Sequence, residues 1–186
     1  CKLTMNDDRF EVRKNQEKNW ALKNVVTVAR EFQNDSKAII AVLDADDALC
    51  NENTVDILLD AYSDPELDTA WTAHSWDING MNISKELPEN INPYQYPWVT
   101  SHLKTWRATT LLGVDDANFK DLEGSWFKRG YDQALYLPLL YLSHKRRFID
   151  EICYLYRINS KSIPVRVWSE KDQMDTVRLV RARGLM

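Results

Sequence analysis

The chain has 186 residues, 44% of them hydrophobic and 28% charged, enough apolar material for one well-packed domain of average size. Its net charge of -4 argues against a general polyanion binder, which needs a basic face, and so against nucleic acid as a partner. The longest apolar run, Ala134 to Leu142, is interrupted by Pro138 and falls far short of the roughly 20 residues of a spanning helix, so no transmembrane segment is expected. Cys1, Cys50 and Cys153 are widely separated and lack C-x-x-C spacing, which suggests neither a disulfide framework nor a zinc site and makes a reducing cytoplasm the default location.

Phe10 to Lys14 alternates apolar and charged residues, predicting a short strand. A helical pattern follows from about Glu17 to Phe32, with Leu22, Val25, Val26 and Ala29 on one face. Ala38 to Leu43 is an uninterrupted apolar run that reads as a strand buried on both faces, and it ends in Asp44-Ala45-Asp46-Asp47. In open α/β sheets ligands sit beyond the carboxyl ends of such strands. If the backbone stays extended, Asp44 and Asp46 point to one side and Asp47 turns away. Two hard oxygen donors suit Mg²⁺ or Mn²⁺, which fills its remaining positions with water and substrate phosphates. The same short acids also serve as turn and N-cap residues, so the motif by itself leaves both readings open.

Val55, Leu58, Leu59 and Tyr62 recur at helical spacing, and Thr69 to Trp76 has strand composition. This strand, helix, strand, helix order predicts an α/β domain with a largely parallel central sheet flanked by helices. Ile78 to Val99, with Gly80, Pro88, Pro93 and Pro97, reads as a long functional loop or lid or as simple disorder, with Tyr94, Tyr96 and Trp98 favouring an ordered loop. Ser101 to Arg107 reads as a second helical block with Ser101 as N-cap, placing Lys104 and Arg107 on one face and Leu103 and Trp106 on another. A third helix opens at Tyr131-Asp132-Gln133 and should kink or end at Pro138. Phe148-Ile149 and Ile152 to Ile158 read as strands. Glu170 to Leu185 reads as an amphipathic tail with Arg178, Arg181 and Arg183 exposed.

Four pieces together resemble a known family. They are Asn15 with Ala21-Leu22-Lys23-Asn24, then Val42 to Leu49 with its acidic motif, then Ser101 to Arg107, and Tyr131 to Leu135. In that order and spacing they look like family 2 glycosyltransferases of GT-A fold, over about Phe10 to Asn159. The resemblance implies a GT-A-like domain over residues 1–160 and a helical tail over 161–186 packed on it. It also implies that the chain enters at the family's third strand, since it begins at Cys1 and the strand, helix and strand that carry the nucleotide-base pocket are missing from the pattern.

The activity implied is a metal-dependent and inverting transfer of a sugar from a nucleotide-diphosphate donor to a glycan, lipid or protein acceptor. Asp44 and Asp46 would hold Mn²⁺ or Mg²⁺, and Asp132 matches the family's general base. Asn15, Lys23, Asn24 and Asp47 fall on the donor side. His102, Lys104, Trp106 and Arg107 fall towards the acceptor or the phosphates. The alternative is an inactive relative acting as a nucleotide- or carbohydrate-binding module. A phosphoryl-transfer enzyme is disfavoured, because with five glycines the chain has no Gly-rich phosphate loop.

Overall fold

The structure, a computed structural model, describes residues 7–158 and 162–186. Helix α1 (Trp20–Phe32) buries Leu22, Val26 and Ala29, the face expected from spacing. Strand β1 (Ile39–Val42) leads through the acidic turn to the short β2 (Ala48–Leu49), and α2 (Thr54–Ala61) connects to β3 (Leu67–Trp76). After the long loop comes β4 (Lys104–Arg107), followed by two 3₁₀ segments, Ala108–Gly113 and Asp116–Phe119. Helix α3 (Tyr131–Leu142), strand β5 (Lys145–Tyr156) and helix α4 (Ser162–Arg183) complete the order.

The five strands form one sheet in the order β1-β4-β3-β5-β2. Only β3 and β5 pair in parallel, while β1 with β4, β4 with β3, and β5 with β2 are antiparallel. This corrects the largely parallel, GT-A-like sheet expected above: the fold is a mixed α/β domain. The physical reason lies in β4. Strands β1 and β3 run the same way, as a crossover through α2 requires, but β4 is inserted between them in the opposite direction, with Trp106 opposite both Ile40 and Thr69. A reading of successive elements cannot reveal such an insertion, because the loop that delivers β4 has no periodicity of its own.

The insertion also explains the misreading of Ser101 to Arg107 as a helix. Residues 101–106 are all buried, so the apolar spacing of Leu103 and Trp106 carries no helical information. On a strand, residues three apart face opposite ways, and Lys104 and Arg107 are therefore separated rather than paired. Strand β1 is an edge strand with Ala41 exposed, not a strand buried on both faces. Phe10 to Lys14 forms no strand, and Arg13 there pairs with Glu11 and Glu31. Pro138 lies inside α3 without ending it, and β5 is one strand whose irregular register against β3 divides the two apolar runs.

Alternation along the strands distributes the core over both faces of the sheet. Trp71, Trp106 and Val42 pack with α1, α3 and Val180 of α4, while Ala70, Leu103, Ile149 and Tyr154 pack with Leu58, Ala61 and Tyr62. The loop 77–103 is tied to the first cluster by Leu87 and Tyr94 and by Trp71 Nε1, which donates to the Lys85 carbonyl at 2.9 Å. Arg181 and Arg183 are bound rather than solvated. Arg181 donates to Gln133 Oε1 and to the Tyr94 and Tyr96 carbonyls, and Arg183 to the carbonyls of Asn118 and Lys120. Among the described residues no helix is long and apolar enough to cross a membrane.

Candidate functional site

The acidic motif closes a turn in which Asp47 N donates to Asp44 O at 3.1 Å. The backbone is not extended there, so the strand alternation on which the expected same-side projection of Asp44 and Asp46 rests does not apply. Asp44 is half-buried and Asp46 stands exposed at the corner. Two tyrosines fix the flanking acids. Tyr131, the first residue of α3, donates its hydroxyl to Asp44 Oδ1 at 2.5 Å, and Tyr154 of β5 donates to Asp47 Oδ2 at 2.6 Å. Asp44 N also donates to Tyr154 Oη at 3.3 Å, and Asp47 Oδ1 accepts from Arg157 N at 2.8 Å. Burial raises the pKa of both phenols, keeping them as donors, and burial likewise pushes the Asp44 carboxyl above its ordinary value.

Beside this turn lies a buried polar cluster built from β4 and the start of α3. Lys104 is 1% exposed, and its ammonium donates to Asp132 Oδ1 at 2.7 Å, to the Ser101 carbonyl at 3.0 Å and to His102 Nδ1 at 3.3 Å. An ammonium has three donors and no acceptor, so these bonds use all of them and make His102 Nδ1 an acceptor, leaving the proton on Nε2. Burial pushes the Asp132 carboxyl up, but the Lys104 ammonium and its hydrogen bond outweigh this and hold it below its ordinary value. Burial and Lys104 push His102 down to about 2 and His74 down to about 4, so both are neutral imidazoles. The His102 ring stacks on Tyr154 with centroids 4.5 Å apart and on Tyr156 at 5.3 Å, and meets His74 edge-on at 5.6 Å.

Asp132 and His102 open onto a cleft of about 190 Å³. Trp76, Trp98 and Tyr156 contribute aromatic surface, and Gln133 and Gln173 polar groups. The wall next to Asp132 depends on Gly130, which has φ +62°; a Cβ there would stand 2.9 Å from the Gln173 carbonyl of α4.

The structure thus gathers Asp44, Asp47, His102, Lys104 and Asp132 from the expected residues, with Asp46 at the rim. Asn15 Nδ2 donates to Asn24 Oδ1 at 2.8 Å, and Lys23 Nζ to Asn19 Oδ1 at 3.2 Å, on the exposed side of α1. Trp106 is 0% exposed in the core, and so not placed to stack on a sugar. Arg107 faces away, bonding the carbonyls of Tyr62, Asp64 and Leu67. Tyr154, Tyr156, Trp76 and Trp98 were missed. Their aromatic character reads as strand or loop composition until the fold places them together.

Among the described residues no three His, Cys, Asp or Glu side chains converge to hold a metal ion. Asp44 and Asp46 nevertheless fit a hard divalent cation that draws the rest of its shell from water and substrate phosphates. Both offer only carboxylate oxygens, and the cost of burying the Asp44 charge is one a cation would offset. No protein-family model matches the chain, and no curated protein matches it.

Proposed function

We propose that this chain is a glycosyltransferase that moves a sugar from a nucleotide-diphosphate donor to an acceptor hydroxyl, with Asp132 as general base. The observation that carries the reading is the ionised Asp132 carboxylate, held by Lys104 at the mouth of an aromatic-lined cleft and next to the acidic turn. The aromatic surfaces suit the apolar faces of an acceptor, and the carboxylate suits its hydroxyl. As the hydroxyl attacks the sugar carbon, Asp132 takes its proton, a role expected to contribute about 10² to 10⁴-fold in rate. Lys104 orients the carboxylate. A divalent cation held by Asp44 and Asp46 would supply Lewis-acid neutralisation of the departing diphosphate. Tyr131 couples the two sites, since it holds Asp44 from the residue preceding Asp132.

The test is a thermal-shift titration with UDP- and GDP-sugars, with and without Mn²⁺, followed by turnover assays. A rise in Tm that needs Mn²⁺ and disappears in Asp44→Ala or Asp46→Ala is expected, and Asp132→Asn should keep the shift while losing turnover. If no donor shifts the transition under either condition, the reading fails. A second reading, a binding module without turnover, is favoured by the Lys104–Asp132 ion pair itself, because lowering the carboxyl pKa weakens it as a base. In that case ligand binds and Asp132→Asn changes no rate.

A further inference from the structure

We infer that Cys50 and Cys153 form a disulfide that staples the exit of the acidic turn to β5. The two lie about 100 residues apart in the chain, which is why their spacing suggests no pairing, but the sheet brings them together. Ala48 stands opposite Leu155 and Leu49 opposite Tyr154, so the next step of the same antiparallel register sets Cys50 opposite Cys153. A backbone bond marks that step, with Cys50 N donating to Cys153 O at 3.1 Å. Residues paired in this way have Cα atoms about 5.5 Å apart and side chains on one face of the sheet. That spacing falls inside the range of about 4.4 to 6.8 Å that a disulfide spans. The side chains agree with the register. Cys50 Sγ lies 3.7 Å from the carbonyl oxygen of Ile152, the residue before Cys153, and the Cys153 thiol reaches Thr54, the first residue of α2, which follows Cys50 after a short turn.

Both are thiols in this structure, Cys50 exposed and Cys153 fully buried, so the exposed member meets the oxidant and the buried one completes the bond. With oxidised glutathione, the Cys50 sulfur attacks a glutathione sulfur, breaking its S–S bond and releasing one glutathione thiol. The Cys153 sulfur then attacks the Cys50 sulfur of the mixed disulfide, forming the bond between the two cysteines and releasing the second glutathione. The protons of the two cysteine thiols end on the two glutathiones, and the protein gives up the two electrons that reduce the oxidant. Burial raises the pKa of both thiols, and charge on Cys50 raises Cys153 further, so neither is an activated thiolate. The pair suits a slowly formed structural crosslink rather than rapid sensing. Its place in the fold gives the crosslink a target. Strand β2 carries the chain out of the acidic turn, and Cys153 precedes Tyr154, whose hydroxyl holds Asp47. A covalent bond there anchors the same two segments that this hydrogen bond joins, and it does not depend on the transferase reading.

The experiment is incubation of the folded chain with oxidised glutathione, alkylation of the remaining thiols in urea, and peptide mapping without reductant. The expected product is a Cys50 peptide linked to a Cys153 peptide, with Cys1 alkylated or carrying glutathione. Closing a loop of about 100 residues restricts the unfolded chain, so the oxidised protein should melt about 5 to 15 °C above the reduced one, and dithiothreitol should abolish the difference. Cys50→Ser, at an exposed position, should keep the reduced parent's Tm and show no rise on oxidation, while Cys1→Ser should behave as the parent does. Recovery of Cys50 and Cys153 as alkylated thiols or as separate glutathione adducts overturns the inference, and so does a link through Cys1. A chain linked between Cys50 and Cys153 whose Tm does not rise overturns the staple as well.

Discussion

Lys104 and Arg107 stand three residues apart on one strand and end in opposite worlds. Lys104 points towards α3 and spends its ammonium on a carboxylate, a carbonyl and a neutral imidazole at the edge of a cleft. Arg107 points towards the turn after α2, where its guanidinium collects three backbone carbonyls and lies over the Tyr62 ring at 5.4 Å. Both are well bonded, but only Lys104 is bonded to titratable groups. The carbonyls bound by Arg107 tie backbone to backbone, whereas the carboxylate beside Lys104 lines a cleft. Charge and bonding alone therefore do not tell the two cations apart; the nature of the partner does.

The largest contrast should come from Asp132→Asn, which removes the proposed proton acceptor and should lower turnover by about 10² to 10⁴-fold while leaving donor binding intact, as measured by steady-state rates and thermal shift. Lys104→Met should follow. It leaves a poorly solvated carboxylate and the Ser101 carbonyl without their cation, costing about 3 kcal/mol in urea denaturation.

The same variant carries a pH signature. Because the Asp132 carboxyl sits below its ordinary value in the folded chain, its contribution to stability is fully present above about pH 4 and is lost as pH falls through the depressed value. Lys104→Met should flatten that acid-side loss, and an unchanged pH dependence would show that Lys104 does not control Asp132. Arg107→Met should cost about 2 kcal/mol through its three carbonyls and leave turnover per folded molecule unchanged. The smallest effect is expected from Tyr154→Phe, which loses the bond to Asp47 and the long one accepted from the Asp44 amide and costs about 1 kcal/mol in the same denaturation assay.

Much of the fold was readable where local pattern and environment agree. The buried face of α1, the acidic end of β1 and the strand composition of β3 all follow from periodicity or from a sharp change of polarity. The sheet was not readable, because its direction is set by β4, and β4 is delivered by a loop whose contacts are long-range. Site residues divided in the same way. Asp44 and Asp132 stand out as acids at the ends of predicted elements. Tyr154, 110 residues from the Asp44 amide it accepts from, gives no local sign of that partnership. Arg107 and Trp106 were drawn into the expected site by their neighbours in sequence, and the strand's alternation and depth removed them from it.

Gly130 gives the arrangement one further consequence. The hydrogen that stands in place of a Cβ faces the Gln173 carbonyl and the Thr176 methyl group, the latter 3.3 Å from where a Cβ would sit. Helix α4 can therefore lie close over the beginning of α3, and any larger residue would prise the two apart and unseal the pocket they jointly wall. For anyone redesigning this protein, position 130 is one where a side chain is strained by the backbone and crowded by α4, and the close seating of the C-terminal helix depends on the glycine there.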